Sequence, residues 1–220
     1  MTIATRRYHG PGRGGPTLLA VLVWILVAAA GTLLLVASTA AARHPTIHPA
    51  EQRVFHAVNG LPAWLYVPLW LPMQLGNLVV GLLSGLAVAW WAGSIGLAVA
   101  VVVATGMKLV TERLIRKEMG KWLQVRQRPG TSEPGAVLRG GDVPASGASF
   151  PSGHVILAAA VACVTATAFA RPWEVIPFVL AFLVAFGRVF VGAHNPLDVT
   201  AGAGAGLLVG GVLAAILVAP

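Results

Sequence analysis

The residues best equipped for chemistry fall in three short motifs. Lys121 is followed, after six residues, by Arg128-Pro129; Pro151-Ser152-Gly153-His154 comes next; Arg188 is then followed after five residues by His194, and after three more by Asp198. Lys121, Arg128 and Arg188 supply permanent cations, and arginine offers paired N–H donors that match a phosphate-like anion. His194 and Asp198 are four residues apart, so they share a face if helical geometry extends back to His194. A carboxylate on one imidazole nitrogen fixes the tautomer and leaves the other nitrogen free to attack. His154 can protonate a leaving group. Ser152 adds a hydroxyl. Gly153 lets an anion approach the backbone where a helix begins, and there unpaired N–H groups and the helix dipole favour negative charge. A nucleophile, its orienter, an acid and an anion cradle suit phosphoryl transfer, which needs mainly positioning and charge stabilisation. Three cations provide that without a metal or other cofactor.

Each residue also has a plain structural use. Arg188 can snorkel from a helix end, His194 and Asp198 can cap a helix, and Pro-Ser-Gly is ordinary turn chemistry. Singly these uses compete evenly with the chemical ones. Jointly they must explain three motifs placed on one membrane face, where charged groups are costly without a role.

The elements that position the motifs follow from composition. The chain has 220 residues, 57% hydrophobic and only 10% charged, against about 25% charged in a soluble domain. The apolar residues lie in blocks near the roughly 20 needed to cross a bilayer. The expected fold is all-α, a polytopic membrane protein of six transmembrane helices with the site at one membrane face. Residues 1–16 read as a disordered basic tail and 17–220 as the membrane domain, with the motifs in 121–198.

The first span covers Thr17 to Ala42. It exceeds the roughly 7–15 apolar residues of a signal sequence and is read as retained. Residues 43–60 read as a short amphipathic interfacial helix. Their His44, His48 and His56 lack the ligand spacing of a metal site. Prolines 62, 68 and 72 make an irregular lead-in to a second span ending at Trp91. Gly93-Ser94 turns into a third span, whose helix carries on past the bilayer surface with pairs such as Glu112–Arg116. Residues 129–150 form a long loop. Spans four to six are placed at 153–170, 175–191 and 196–218. Cys163 is a small packing residue. Gly202, Gly206 and Gly210 form a small-residue stripe for packing inside the bundle, with homodimerisation as its other use.

The net charge of +8 sits in the tail and one inter-helical segment, which points to anionic lipid or a phosphate headgroup rather than nucleic acid. The basic tail suggests a cytoplasmic N-terminus, yet counting Lys and Arg by side favours the opposite orientation.

The three motifs resemble the signature of the type 2 phosphatidic acid phosphatase superfamily: Lys-x6-Arg-Pro, Pro-Ser-Gly-His and Ser-Arg-x5-His-x3-Asp. The departure is Gly187 in place of the usual serine. The resemblance implies a metal-independent membrane phosphatase acting on a lipid phosphate of the phosphatidic acid, phosphatidylglycerol phosphate or polyprenyl (di)phosphate type. By it, His194 becomes a phosphohistidine, Asp198 polarises it, and His154 protonates the departing group. Lys121, Arg128, Arg188, Ser152 and the Gly153 amide hold the phosphoryl oxygens, and the site faces the extracytoplasmic side. The Ala-, Gly-, Val- and Arg-rich composition suggests a bacterial plasma membrane, where polyprenyl phosphates serve cell-wall synthesis; a phospholipid phosphatase is equally open. Vanadium haloperoxidases share the motifs but are soluble. A non-catalytic anionic-lipid binding or transport protein would need the cations but not both histidines.

Overall fold

The computed structural model describes residues 18–44, 46–122, 126–141 and 143–220, with side chains except at 119–122. The basic tail expected at 1–16 lies outside these residues. Nine α-helices are found among the described residues: α1 (Leu18–Ala41), α2 (Pro49–Asn59), α3 (Tyr66–Met73), α4 (Leu78–Trp91), α5 (Ile95–Trp122), α6 (Pro129–Ser132), α7 (Gly153–Ala166), α8 (Ile176–Phe190) and α9 (Pro196–Val218). No strand occurs among the described residues, only an isolated bridge between Gln127 and Ala148. The expected all-α membrane class is what the structure has.

The organising helix is α7. Its sequence is apolar all round, and such a helix belongs inside a bundle. It packs on α4, α5, α8 and α9, and Ala160 and Val164 join Ala89, Val101 and Ala104 in one buried cluster. Cys163 of α7 is also fully buried. The glycine stripe of α9 permits its closest contact. A Cβ at Gly202, Gly206 or Gly210 would lie 2.6, 2.5 or 2.6 Å from the carbonyl oxygens of Ser152, Ile156 and Ala160. The stripe is therefore used within the chain, and α7 occupies the face that homodimerisation would need. On its other side α9 meets α1, where Gly31 and Gly204 bring the backbones together. Much of the rest of α1 is bare: Leu19, Leu26, Leu33 and Val36 are exposed, as lipid contact requires.

The spans differ from expectation in number. Four helical segments (Leu18–Ala41, Ile95–Glu118, Trp173–Phe190 and Pro196–Val218) are long and apolar enough to cross a membrane, and Ala63–Gly76 with Leu78–Trp91, bent by 77°, makes a fifth if the pair is one broken span rather than a re-entrant loop. The bend falls at Asn77, whose side chain caps α4 by accepting from the Val79 and Val80 N–H groups. The expected fourth span, α7, has 14 residues and stops at Ala166 rather than reaching 170, short of the roughly 20 that a full crossing takes.

Two connections shape the site. Helix α5 carries on to Trp122 as its charge pattern predicts. Among the described residues, the segment after it holds the single turn α6 and is otherwise without regular structure, but it is well anchored. Asn59 donates to the Val137 and Phe190 carbonyls and accepts from the Val137 N–H. Arg139 donates to the Phe190 and Leu61 carbonyls, and its guanidinium lies 4.4 Å from the centre of the Phe190 ring.

Candidate active site

Pro196 opens α9 in the position where its fixed φ and missing N–H cost nothing. Asp198 follows two residues later and is fully buried. Its Oδ2 accepts the Asn195 N–H at 2.8 Å, which caps the helix. His194 stands just before that cap rather than on the helix, so the shared helical face expected for His194 and Asp198 is replaced by a turn. The turn needs Gly192 at φ +77°. It closes with the Ala193 and His194 N–H groups donating to the Arg188 carbonyl at 3.0 and 3.3 Å. The result still places His194 Nδ1 3.8 Å from Asp198 Oδ2, with both side chains buried. Burial holds the His194 imidazole below its ordinary pKa. Asp198 pulls it up, while Arg188 and Arg128 push it further down.

The other motifs converge on this turn. Arg128 donates from Nη1 to the Ala193 carbonyl at 2.9 Å. Ser152 donates its N–H to the Asp198 carbonyl at 2.9 Å, so the start of α7 is fixed to the start of α9. Ser152 Oγ is buried with no hydrogen-bond partner. His154 and Arg188 open onto one cavity with Tyr66, Trp70, Gln74 and Asn77. Thus Arg128, Ser152, Gly153, His154, Arg188, His194 and Asp198 come together. Lys121 lies in the last turn of α5, with its side chain outside the described residues.

Burial and the neighbouring Arg116 guanidinium push Arg128 below its ordinary value. Positive charge is crowded here, and an anion would relieve it.

Residues 87–219 match the PAP2 superfamily. The chain belongs to this superfamily. As a PAP2 protein it is a phosphatase, a hydrolase of phosphoric ester or anhydride bonds. No curated protein matches it. Two solved structures share its fold. The PAP2-type phosphatidylglycerolphosphate phosphatase of Bacillus subtilis has a TM-score of 0.64 at 21% identity, covering 89% of this chain and 94% of that one. LpxE of Aquifex aeolicus has a TM-score of 0.57 at 22% identity, covering 76% and 92%.

The PAP2 departure at position 187 has a packing cause. A Cβ on Gly187 would lie 2.5 and 2.6 Å from Met73 Cγ and Sδ. Met73 of α3 fills the space that a serine side chain would take.

Sequence reasoning missed two residues of this buried cluster, Arg126 and Glu51. Arg126 Nε donates to Asp198 Oδ1 at 2.8 Å, and its Nη2 pairs with Glu51 Oε1. The same Glu51 oxygen accepts the Leu197 N–H at 2.9 Å. Burial alone would lower Arg126, but the two carboxylates outweigh it and hold the guanidinium above its ordinary value. The helix α2 is therefore more than interfacial. Glu51, Phe55 and Asn59, spaced four apart, form its buried face, and that spacing was the available signal. Two histidines of this region have structural partners. His48 Nδ1 caps α2 by accepting the Ala50 N–H, and His56 pairs with Glu133 at 3.3 Å. No cluster of three metal-ligating side chains is present among the described residues.

Proposed function

We propose that this PAP2 chain hydrolyses a phosphomonoester or diphosphate on a membrane lipid through a phosphohistidine, without a metal. The observation that carries the reading is His194, buried with its Nδ1 3.8 Å from Asp198 Oδ2, where burial holds its pKa below the ordinary value. Nδ1 faces the carboxylate, so Nε2 is the nitrogen left to attack phosphorus. As the N–P bond forms, the P–O bond to the leaving group breaks and His154 gives that oxygen its proton. Water then attacks the phosphohistidine, returns a proton to His154, and releases inorganic phosphate. Arg128, Arg188, Lys121, Ser152 and the Gly153 amide carry the phosphoryl oxygens, so the charge a metal would neutralise is met by the chain itself.

Phosphatidic acid, phosphatidylglycerol phosphate and polyprenyl mono- and diphosphates all present a phosphate at the headgroup plane. The fold likeness to a phosphatidylglycerolphosphate phosphatase makes that lipid one to test first. The reading places residues 17–220 as one domain in a bacterial plasma membrane with the site outside. Alkaline phosphatase fusions after residues 135 and 172 test the orientation, with activity expected only at 135.

The deciding experiment is phosphate release by purified protein in detergent with excess EDTA, using His194→Ala as control. Release that survives EDTA and is lost in the variant supports the mechanism. A folded protein that binds these lipids but releases phosphate from none would be a binding protein instead.

A further inference from the structure

The mechanism above leaves Glu112 unused, yet its position is not that of a solvated helix acid. Its side chain is only 18% exposed, with Oε2 2.8 Å from Lys108 Nζ and Oε1 2.7 Å from Arg116 Nη2. Residues 108, 112 and 116 stand at successive four-residue steps and form one stripe along α5. The stripe faces the start of α7. A Cβ placed on Gly153 would lie 2.5 Å from Glu112 Oε2 and 3.0 Å from Oε1. The carboxylate therefore rests on Gly153 itself, between Ser152, whose buried Oγ has no partner, and His154. Lys108 and Arg128 are among the charges felt at His154, and Arg116 and Glu112 among those felt at Arg128. One carboxylate thus lies between Lys108 and Arg116, on the glycine where the proposed anion cradle begins. Two oxygens held between cations against a helix start reproduce the shape and charge of part of a phosphoryl group.

We infer that Glu112 is a resident counter-anion of the phosphoryl site, and that an incoming phosphate displaces it and takes over Lys108 and Arg116 as ligands. The inference rests on the proposed phosphatase reading. The ligand chemistry is a phosphate dianion, supplied either by a lipid headgroup or by free inorganic phosphate. Displacement has a simple consequence. The anion competes with a carboxylate that cannot diffuse away, so Glu112 weakens both substrate and product binding. The same competition helps product leave, because the carboxylate can return as phosphate departs.

The test is calorimetric binding of inorganic phosphate to the full-length protein in detergent, alongside turnover of micellar phosphatidic acid and phosphatidylglycerol phosphate. Glu112→Gln keeps the shape and removes the charge. Its phosphate Kd is expected to fall about tenfold, as removal of one nearby like charge implies, and KM is expected to fall with it. Adding Lys108→Met or Arg116→Met to that variant should cancel the gain. An unchanged or weaker phosphate Kd in Glu112→Gln would overturn the inference. A tighter Kd with an unchanged KM would overturn its application to the lipid substrate. If Glu112→Gln does not fold, Glu112→Asp serves: its shorter side chain withdraws from Gly153, so phosphate should bind more tightly than in the wild type, and no change would overturn the inference. Absence of turnover by the wild type on any lipid phosphate would remove the phosphatase reading, while the phosphate affinities would still decide the role of Glu112.

Discussion

Arg126 donates from Nε to Asp198 Oδ1 at 2.8 Å while its Nη2 pairs with Glu51. One guanidinium thus ties the second helix of the chain to the carboxylate that faces the proposed nucleophile. All three side chains are at most 6% exposed, so the pairing is a buried one, and breaking it strands charge.

Arg126→Met should therefore destabilise the protein by about 3–5 kcal/mol, the usual consequence of removing one partner from a buried ion pair. Turnover should fall as well, because Asp198 loses the group that orients it. Glu51→Gln should be milder, since an amide oxygen can still accept the Leu197 N–H. Thermal unfolding in detergent and phosphate release, measured on the same samples, check both.

His194→Ala should abolish turnover without loss of fold. Asp198→Asn should lower kcat by about 10³-fold or more, as when the carboxylate behind a catalytic imidazole is neutralised. Single-turnover incubation with a labelled lipid phosphate, followed by alkaline quench, should trap label on wild-type protein and none on His194→Ala.

The pH profile follows from His194. Attack needs the neutral imidazole, and burial lowers its pKa from the ordinary value. The acid limb of kcat/KM should therefore lie below the unperturbed histidine value of about 6.5. The sign for stability is the same. The unfolded chain takes up a proton near 6.5 that the folded site refuses, so this contribution is present above that pH and is lost as pH falls below it. A profile whose acid limb falls above 7 would contradict this assignment.

The glycine contacts make a paired prediction. Gly206→Ala places a Cβ 2.5 Å from the Ile156 carbonyl oxygen and should cost about 1–3 kcal/mol through overpacking between α7 and α9. Gly106→Ala meets nothing within 4 Å and should be stabilising by up to about 1 kcal/mol, since alanine favours helix. Unfolding midpoints of the two variants should move in opposite directions.

The sequence alone determined the membrane class and the helical content, and it singled out most of the residues that the fold brings together. Apolar blocks of bilayer length admit few structures other than helices, because backbone groups in lipid must be paired internally. The three motifs could be read as one site because their residue types make a complete phosphoryl-transfer set. The use of Gly202, Gly206 and Gly210 for packing within the bundle was also legible from their spacing. The rest was decided by contacts between residues far apart in sequence. Glu51 meets Arg126 across 75 positions, and no local pattern marks that pairing. Glu112 looked like a surface i,i+4 partner of Arg116, and only the approach of α5 to Gly153 gives it a second neighbour. His194 reaches Asp198 through a glycine turn rather than along a helix, since the spacing is the same for both. The shortness of α7 and the 77° bend at Asn77 likewise depend on how neighbouring helices and caps share the apolar run, and hydropathy alone does not specify that.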